Sequence, residues 1–200
     1  ASPFVVYLGL DALPQDMGIE SYEYFVGENM DTERIYNTTN NWVSHHRVSA
    51  TCPDVAVPGF SGPDRCQINL TSMYSPDAMN NSKLSKYDYL PENERFANCM
   101  IDTFEEISGA RIRDHIEEIA IATPATFTRY AEAFRGDIYG YACTALDSAV
   151  TRTLAQEKDR FIPGIDFVGS AGFRAHGYSS VITNGYQVAG VVLSKLGGAN

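Results

Sequence analysis

Chemistry in this chain is concentrated between Phe161 and Leu193, FIPGIDFVGSAGFRAHGYSSVITNGYQVAGVVL. A short apolar segment, Ile165 to Val168, runs into a turn of small residues, Gly169, Ser170, Ala171 and Gly172. A second small-residue approach follows at Gly177, and the spacing predicts a helix of about three turns starting near Ser179 and Ser180, either of which suits the N-cap. A strand feeding a glycine turn and then a helix start suits an anionic cofactor. Glycine lets the backbone come close to a ligand, and the unpaired N–H groups of the first helical turn point at negative charge. The alternative is an ordinary strand-turn-helix unit whose glycines only make turns.

Other residues carry less. The pair His45-His46 does not suit one metal ion, because adjacent side chains point apart on a strand and stand about 100° apart on a helix. The four cysteines, Cys52, Cys66, Cys99 and Cys143, lack metal-ligand spacing. They read first as thiols; Cys52 and Cys66 flank one polar loop, and their pairing in an oxidising compartment is the lesser alternative. Sequons at Asn37, Asn69 and Asn80 arise often by chance and establish no secretion. No G-x-G-x-x-G occurs anywhere.

The terminal segment resembles the C-terminal flavin-contacting segment of the FAD-dependent phytoene desaturase, carotenoid isomerase and retinol saturase family, within the flavin amine oxidase-like superfamily. The residues that carry the resemblance, in one gapless register, are Pro163-Gly164, Gly169-Ser170, Arg174-Ala175-His176-Gly177 and Asn184-Gly185. There are three departures from the family's pattern: Ser170 stands for its acidic residue, Arg174-Ala175 for a Pro-Gly, and Asn184 for a helix serine. A second match lies upstream, where Thr123-Pro124-Ala125-Thr126 opens a helix and Gly136-Asp137-Ile138-Tyr139-Gly140 follows it. In the family these bring backbone close to the isoalloxazine ring. Leu8-Gly9-Leu10-Asp11 resembles a line of the family's substrate-domain sheet, and the strand near residues 66 to 73 resembles one lining the substrate space.

The resemblance implies an α/β fold: the C-terminal part of a two-domain, glutathione-reductase-like FAD-binding oxidoreductase. Residues 1–155 would be a substrate-domain portion with an antiparallel or mixed sheet plus helices. Residues 156–200 would be the terminal strand, turn and helix of the FAD domain. It implies FAD as cofactor, held by Gly169, Ser170, Ala171, Gly177, Tyr178, Ser179, Ser180, Val181 and Gly140, with His176 as a proton relay and Tyr139 beside the ring. Hydride would pass to or from flavin N5 at carbon–carbon bonds of a long apolar, carotenoid- or isoprenoid-like substrate, by oxidoreduction or isomerisation. Because the dinucleotide fingerprint is missing, a second polypeptide carrying the N-terminal G-x-G-x-x-G half is the expected partner. Two other readings stay open: an amine- or amino-acid-oxidising flavoenzyme using Arg174 and Tyr139, and a non-catalytic flavin-binding or scaffold subunit.

The remaining chain must position these groups. Two hundred residues suffice for one sizeable core, and 44% hydrophobic with 12% aromatic residues marks a globular chain. A net charge of -10, from 25 acidic against 15 basic residues, argues against nucleic acid and against a polybasic membrane surface. No apolar run reaches membrane-spanning length and no signal-peptide pattern opens the sequence, so a cytoplasmic or peripheral membrane location is expected.

Pro3 to Leu10 reads as a buried strand that something upstream should pair beside. Tyr22 to Val26 reads as a second strand after a turn at Pro14 and Gly18; the pair resembles the family's substrate-domain sheet, and the plainer alternative is an antiparallel hairpin. Residues 29–49, with Trp42, read as loop or edge. Val55 to Val57 and Cys66 to Met73 read as strands around proline-glycine turns, the latter alternating at Ile68, Leu70 and Ser72. Residues 74–90 read as a polar connector. Pro91 opens a helix with Phe96, Met100, Thr103, Phe104 and Ile107 on its apolar face, and Gly109 stops it. Arg111 to Ile121 places Ile112, Ile116 and Ile119 on one face and charges on the other. The Thr123-capped helix is expected to run through Tyr130 and Phe134 to Gly136.

Overall fold

Strand β1 (Ser2–Leu10) is buried along almost its whole length, because it lies inside a sheet with a neighbour on each side. The computed structural model describes residues 1–27, 30–39, 47–75, 85–139, 164–169 and 177–197. Its strands are β1, β2 (Glu23–Gly27), β3 (Arg47–Thr51), β4 (Cys66–Tyr74) and β5 (Ile116–Ala122). They form one five-stranded sheet in the order β2-β3-β4-β1-β5, and every neighbouring pair is antiparallel. The protein is therefore α/β with an antiparallel sheet.

Two expectations fall here. Both edges of β1 are filled from within the chain, by β4 and β5, so no upstream strand is needed beside it. Nor do β1 and β2 form a hairpin: β2 pairs with β3, and β1 stands two strands away. Long cross-sheet connections outcompete the short turn because β1, apolar on both faces, is better placed in the interior.

The inner face of the sheet carries Phe4, Val6, Leu8, Ile68, Leu70, Val48 and Ala50, all nearly inaccessible to solvent. Ile68, Leu70 and Ser72 are buried as the alternation predicts. Helix α3 (Lys86–Ser108) covers this face. Its Phe96 ring meets Phe4 edge-on at 4.5 Å and Tyr74 at 5.5 Å, and its Phe104 meets Tyr24 edge-on at 5.5 Å. The buried stripe is Phe96, Ala97, Met100, Ile101 and Phe104, the spacing of one helix face. Ile107 lies off it and is exposed. The helix also begins earlier than Pro91. Ser85 caps it by accepting from the Asp88 amide, and Pro91 sits inside, where it forgoes one backbone bond. Gly109 does stop it, in the left-handed conformation at φ 79°.

Three further expectations are corrected. Residues 32–39 form helix α1 (Thr32–Thr39), led by Asp31, whose carboxylate accepts from the Glu33 and Arg34 amides at 3.0 and 3.2 Å. Residues expected as a strand from Val55 form a single turn of helix, α2 (Pro53–Ala56), because Pro53 is pre-set for the first helical position. Ile116 to Ile121 belongs to β5, an edge strand with Glu117, Glu118 and Ile119 exposed, so the helical face expected for the isoleucines is absent.

Helix α4 (Pro124–Ala131) starts as expected. Thr123 accepts from the Thr126 amide while Thr126 Oγ1 accepts from the Thr123 amide, a reciprocal cap. It ends earlier than expected, at Ala131, where Glu132 turns left-handed at φ 53°. A separate 3-10 turn covers Phe134–Gly136, and Ser2 Oγ donates to the Arg135 carbonyl at 3.1 Å.

The chain divides into two compact units, Ala1–Ile138 and Tyr139–Asn200. In the second, Ile165 to Val168 is not paired as a strand, and Ile165, Phe167 and Val168 are largely exposed. The terminal strand expected there is thus not formed among the described residues, since an apolar run becomes a strand only beside a ladder that accepts it. Helix α5 (Tyr178–Gly197) is 20 residues long, about five and a half turns where about three were expected. Lys195 Nζ in its last turn grips both carboxylate oxygens of Asp166 at 2.9 Å.

Candidate functional site

The first turn of α5 brings together five of the expected residues: Gly177, Tyr178, Ser179, Ser180 and Val181. Gly177 adopts φ 98°, a backbone that side chains rarely take, and a Cβ there would meet nothing within 4 Å. Glycine is thus required by the sign of φ, and the space beside it is open. The Gly177 carbonyl accepts the Val181 amide at 3.0 Å, so the amides of Tyr178, Ser179 and Ser180 precede the first helical bond. Neither serine is the N-cap: both lie inside the helix, and Gly177 takes the capping position. Tyr178 and Ser179 are exposed, and Ser180 and Val181 are half-buried.

Asn184 lies about two turns into the same helix. It is fully buried, and neither its amide nitrogen nor its carbonyl oxygen has a hydrogen-bond partner among the described residues. Leaving such a group unsatisfied costs about 1–3 kcal/mol, which marks the position as one that awaits a polar partner. An orphaned buried amide on a helix with a glycine start fits a polar cofactor edge. Gly169 closes the extended segment at φ 70°, again with nothing within 4 Å of a Cβ. Tyr139 is half-buried at the start of the second unit. Gly140, Ser170, Ala171, Arg174, Ala175 and His176 lie outside the described residues, as do Trp42, His45 and His46.

Upstream, Gly136 shows why a glycine stands in the loop after α4. At φ 71°, a Cβ would lie 2.5 Å from Pro124 Cα, Cβ and carbonyl oxygen, so the 3-10 turn and the start of α4 pack without room for a methyl group.

The sheet offers a second feature. A cavity of about 240 Å³ lies against β2, β3 and β4, lined by Phe25, Ile35, Arg47, Ser49, Thr71 and Met73 among others. Phe25 is 78% exposed. Thr71 and Met73 alternate with the buried Ser72 and Tyr74, so the same strand builds the core with one face and the cavity with the other. That alternation was legible; the contributions of α1 and β3 were not, because residues 29–49 read as loop.

Among the described residues Asp54 is the buried carboxylate, 5% exposed. Burial alone would raise its pKa, but the Ser61 hydroxyl at 2.7 Å and the Ser61 and Gln67 amides at 2.8 and 3.1 Å all donate to it. Together they hold the carboxyl below its usual range. It staples the loop between α2 and β4 and faces no cavity named above. Burial raises the Tyr74 hydroxyl well above the usual tyrosine range. Among the described residues no three His, Cys, Asp or Glu side chains are grouped to hold a metal ion, and no helix is long and apolar enough to cross a membrane.

No family model matches the chain. It is similar to an all-trans-retinol 13,14-reductase of Danio rerio, with 22% identity over 209 aligned residues that cover 95% of this chain. The chain spans about a third (33%) of the length of that relative. The likeness is distant.

Proposed function

We propose that this chain is the substrate-side and terminal-helix portion of an FAD-dependent oxidoreductase acting on carbon–carbon double bonds of a long apolar, isoprenoid-like substrate. The observation that carries the reading is the alignment with a retinol reductase along 95% of the chain. The open glycine start of α5, with its orphaned Asn184, supports it. The dinucleotide-binding half is supplied from outside these residues, by a second polypeptide carrying the G-x-G-x-x-G turn. Residues 1–155 serve the substrate, and 156–200 serve the flavin.

When bound, FAD supplies hydride transfer to or from a substrate carbon. The chain's own groups hold and bias it. The amides of Tyr178, Ser179 and Ser180 would hold the cofactor edge on which reduction builds negative charge. A helix start is worth about 0.3–1 kcal/mol to such charge, and about 2 kcal/mol when partly buried. That shifts a potential without performing a step. Asn184 would offer a donor and an acceptor to a polar edge of the cofactor, and His176 and Tyr139 would be its nearby polar groups, His176 as a proton relay. The cavity beside Phe25 and Met73, at about 240 Å³, falls below the usual 300–1,000 Å³ of a ligand pocket, so it takes one end of an extended substrate.

The test is turnover by the native assembly that contains this chain. Incubation with all-trans-retinol or a carotenoid, with and without a reductant, should give a product about 2 Da heavier or lighter, or an isomer of equal mass. Unchanged substrate in every arm, with flavin bound, would reject the reading as an enzyme. The substrate-free flavin carrier would then remain, favoured by the departures at Ser170, Arg174-Ala175 and Asn184.

A further inference from the structure

We propose that Cys52 and Cys66 are a disulfide pair that closes the loop 53–65 covalently, a modification site apart from the flavin helix. Cys52 follows β3 directly, just past the Thr51–Asn69 rung, and Cys66 opens β4 opposite Leu10. The two strands separate between them around a polar loop. Both side chains are buried, at 2% and 1% exposure, both are free thiols, and both belong to one core cluster.

Their backbones are already held. The Cys52 amide donates to the Tyr22 carbonyl at 2.8 Å. Asp54, two residues on, accepts from Ser61 within the loop and from the Gln67 amide beside Cys66. A loop whose two ends are fixed by a buried carboxylate holds its flanking cysteines close, and a bond between them sets the sulfurs at about 2.05 Å. Cys99, half-buried on α3, stands outside the core cluster that contains both.

In the folded protein the neighbouring Cys52 and burial raise the Cys66 thiol, whereas Cys66 lowers Cys52 against the effect of burial. The exchange can begin at either sulfur, and one route opens at Cys52. With a small disulfide such as oxidised glutathione as oxidant, the Cys52 thiolate attacks one sulfur and expels a glutathione thiolate, which takes a proton. Cys66 then gives up its proton and attacks Cys52 Sγ in the resulting mixed disulfide, breaking its S–S bond and expelling the second glutathione thiolate, which takes up that proton. Two cysteine thiols are oxidised, and one disulfide is reduced to two thiols. Burial of both sulfurs places this exchange before the loop seats, during folding, and shelters the bond afterwards. Such a bond belongs to an oxidising compartment, which runs against the cytoplasmic alternative.

The experiment refolds the reduced full chain in a glutathione redox buffer, blocks remaining thiols with iodoacetamide, digests without reductant and weighs the peptides. The same trapping is done on protein taken directly from its native source. The proposal expects the Cys52 and Cys66 peptides joined, about 2 Da lighter than their sum, with Cys99 alkylated. Cys52→Ser should leave Cys66 alkylated and unjoined. It is overturned if both cysteines are alkylated in the native-source sample, or if Cys66 joins Cys99 as readily as Cys52. Should refolding fail, the native-source sample decides alone.

Discussion

Replacing Gly136 with alanine tests the packing that joins the α4 start to the following turn. The new Cβ would sit 2.5 Å from three atoms of Pro124, at a residue held at φ 71°. The left-handed backbone costs an L-residue about 1–2 kcal/mol. Overlap with backbone that cannot swing away adds about 1–3 kcal/mol. Alanine stiffens the unfolded chain, which returns about 0.4–1 kcal/mol. The net loss is about 1–4.6 kcal/mol, a substantial share of a typical 5–15 kcal/mol domain stability. Gly109→Ala is the matched control, because φ is 79° there and nothing lies within 4 Å of the added Cβ; it carries the backbone cost alone. Urea unfolding followed by far-ultraviolet circular dichroism reads both, through midpoints at unchanged slope. If Gly136→Ala loses no more than Gly109→Ala, the close approach to Pro124 is not what selects glycine.

Further outcomes follow from other parts of the molecule. Phe96→Ala should cost about 3–5 kcal/mol, read by the same unfolding curves, since its ring joins Phe4 and Tyr74 in the core; a loss under 1 kcal/mol would contradict that placement. Asp54→Asn should cost about 2–4 kcal/mol at pH 7, because one of its two oxygens becomes a donor facing donors. Its folded pKa lies below the unfolded value near 3.9, so the contribution is complete above that value and lost as pH falls through the folded one. The wild-type advantage over Asp54→Asn should accordingly narrow as pH falls below about 4, and a gap independent of pH would refute the carboxylate account. Asn184→Leu should stabilise the flavin-free chain by about 1–3 kcal/mol and weaken FAD binding, read by fluorescence titration; weaker folding with unchanged FAD binding would show a structural partner instead.

The strands with strong alternation were legible. In β4, Ile68, Leu70 and Ser72 announce one buried face, and in β1 an unbroken apolar run announces an interior strand. What periodicity cannot give is partnership: β1 and β2 follow each other in sequence, yet sit two strands apart. Short elements with polar composition were also hidden. Asp31 ahead of Thr32 and Glu33 was the available sign of α1, and Cys52-Pro53 that of α2. The isoleucines 112, 116 and 119 fit a helical period by coincidence, although β-branched residues running to Ala122 favour the strand that forms. Of the site, Gly177 and the start of α5 were legible because glycine and helix onset are local. Asn184 was legible as a departure from a pattern, but its unpartnered burial needs three dimensions to see.

The account stands or falls on flavin. An absorption spectrum of the purified native assembly containing this chain, with every co-purifying chain weighed, tests it most directly. The account predicts the two visible bands of oxidised FAD at about one flavin per chain, bleached by a reductant, and a partner that carries the dinucleotide-binding half. A colourless assembly that takes up no FAD when it is added would contradict it.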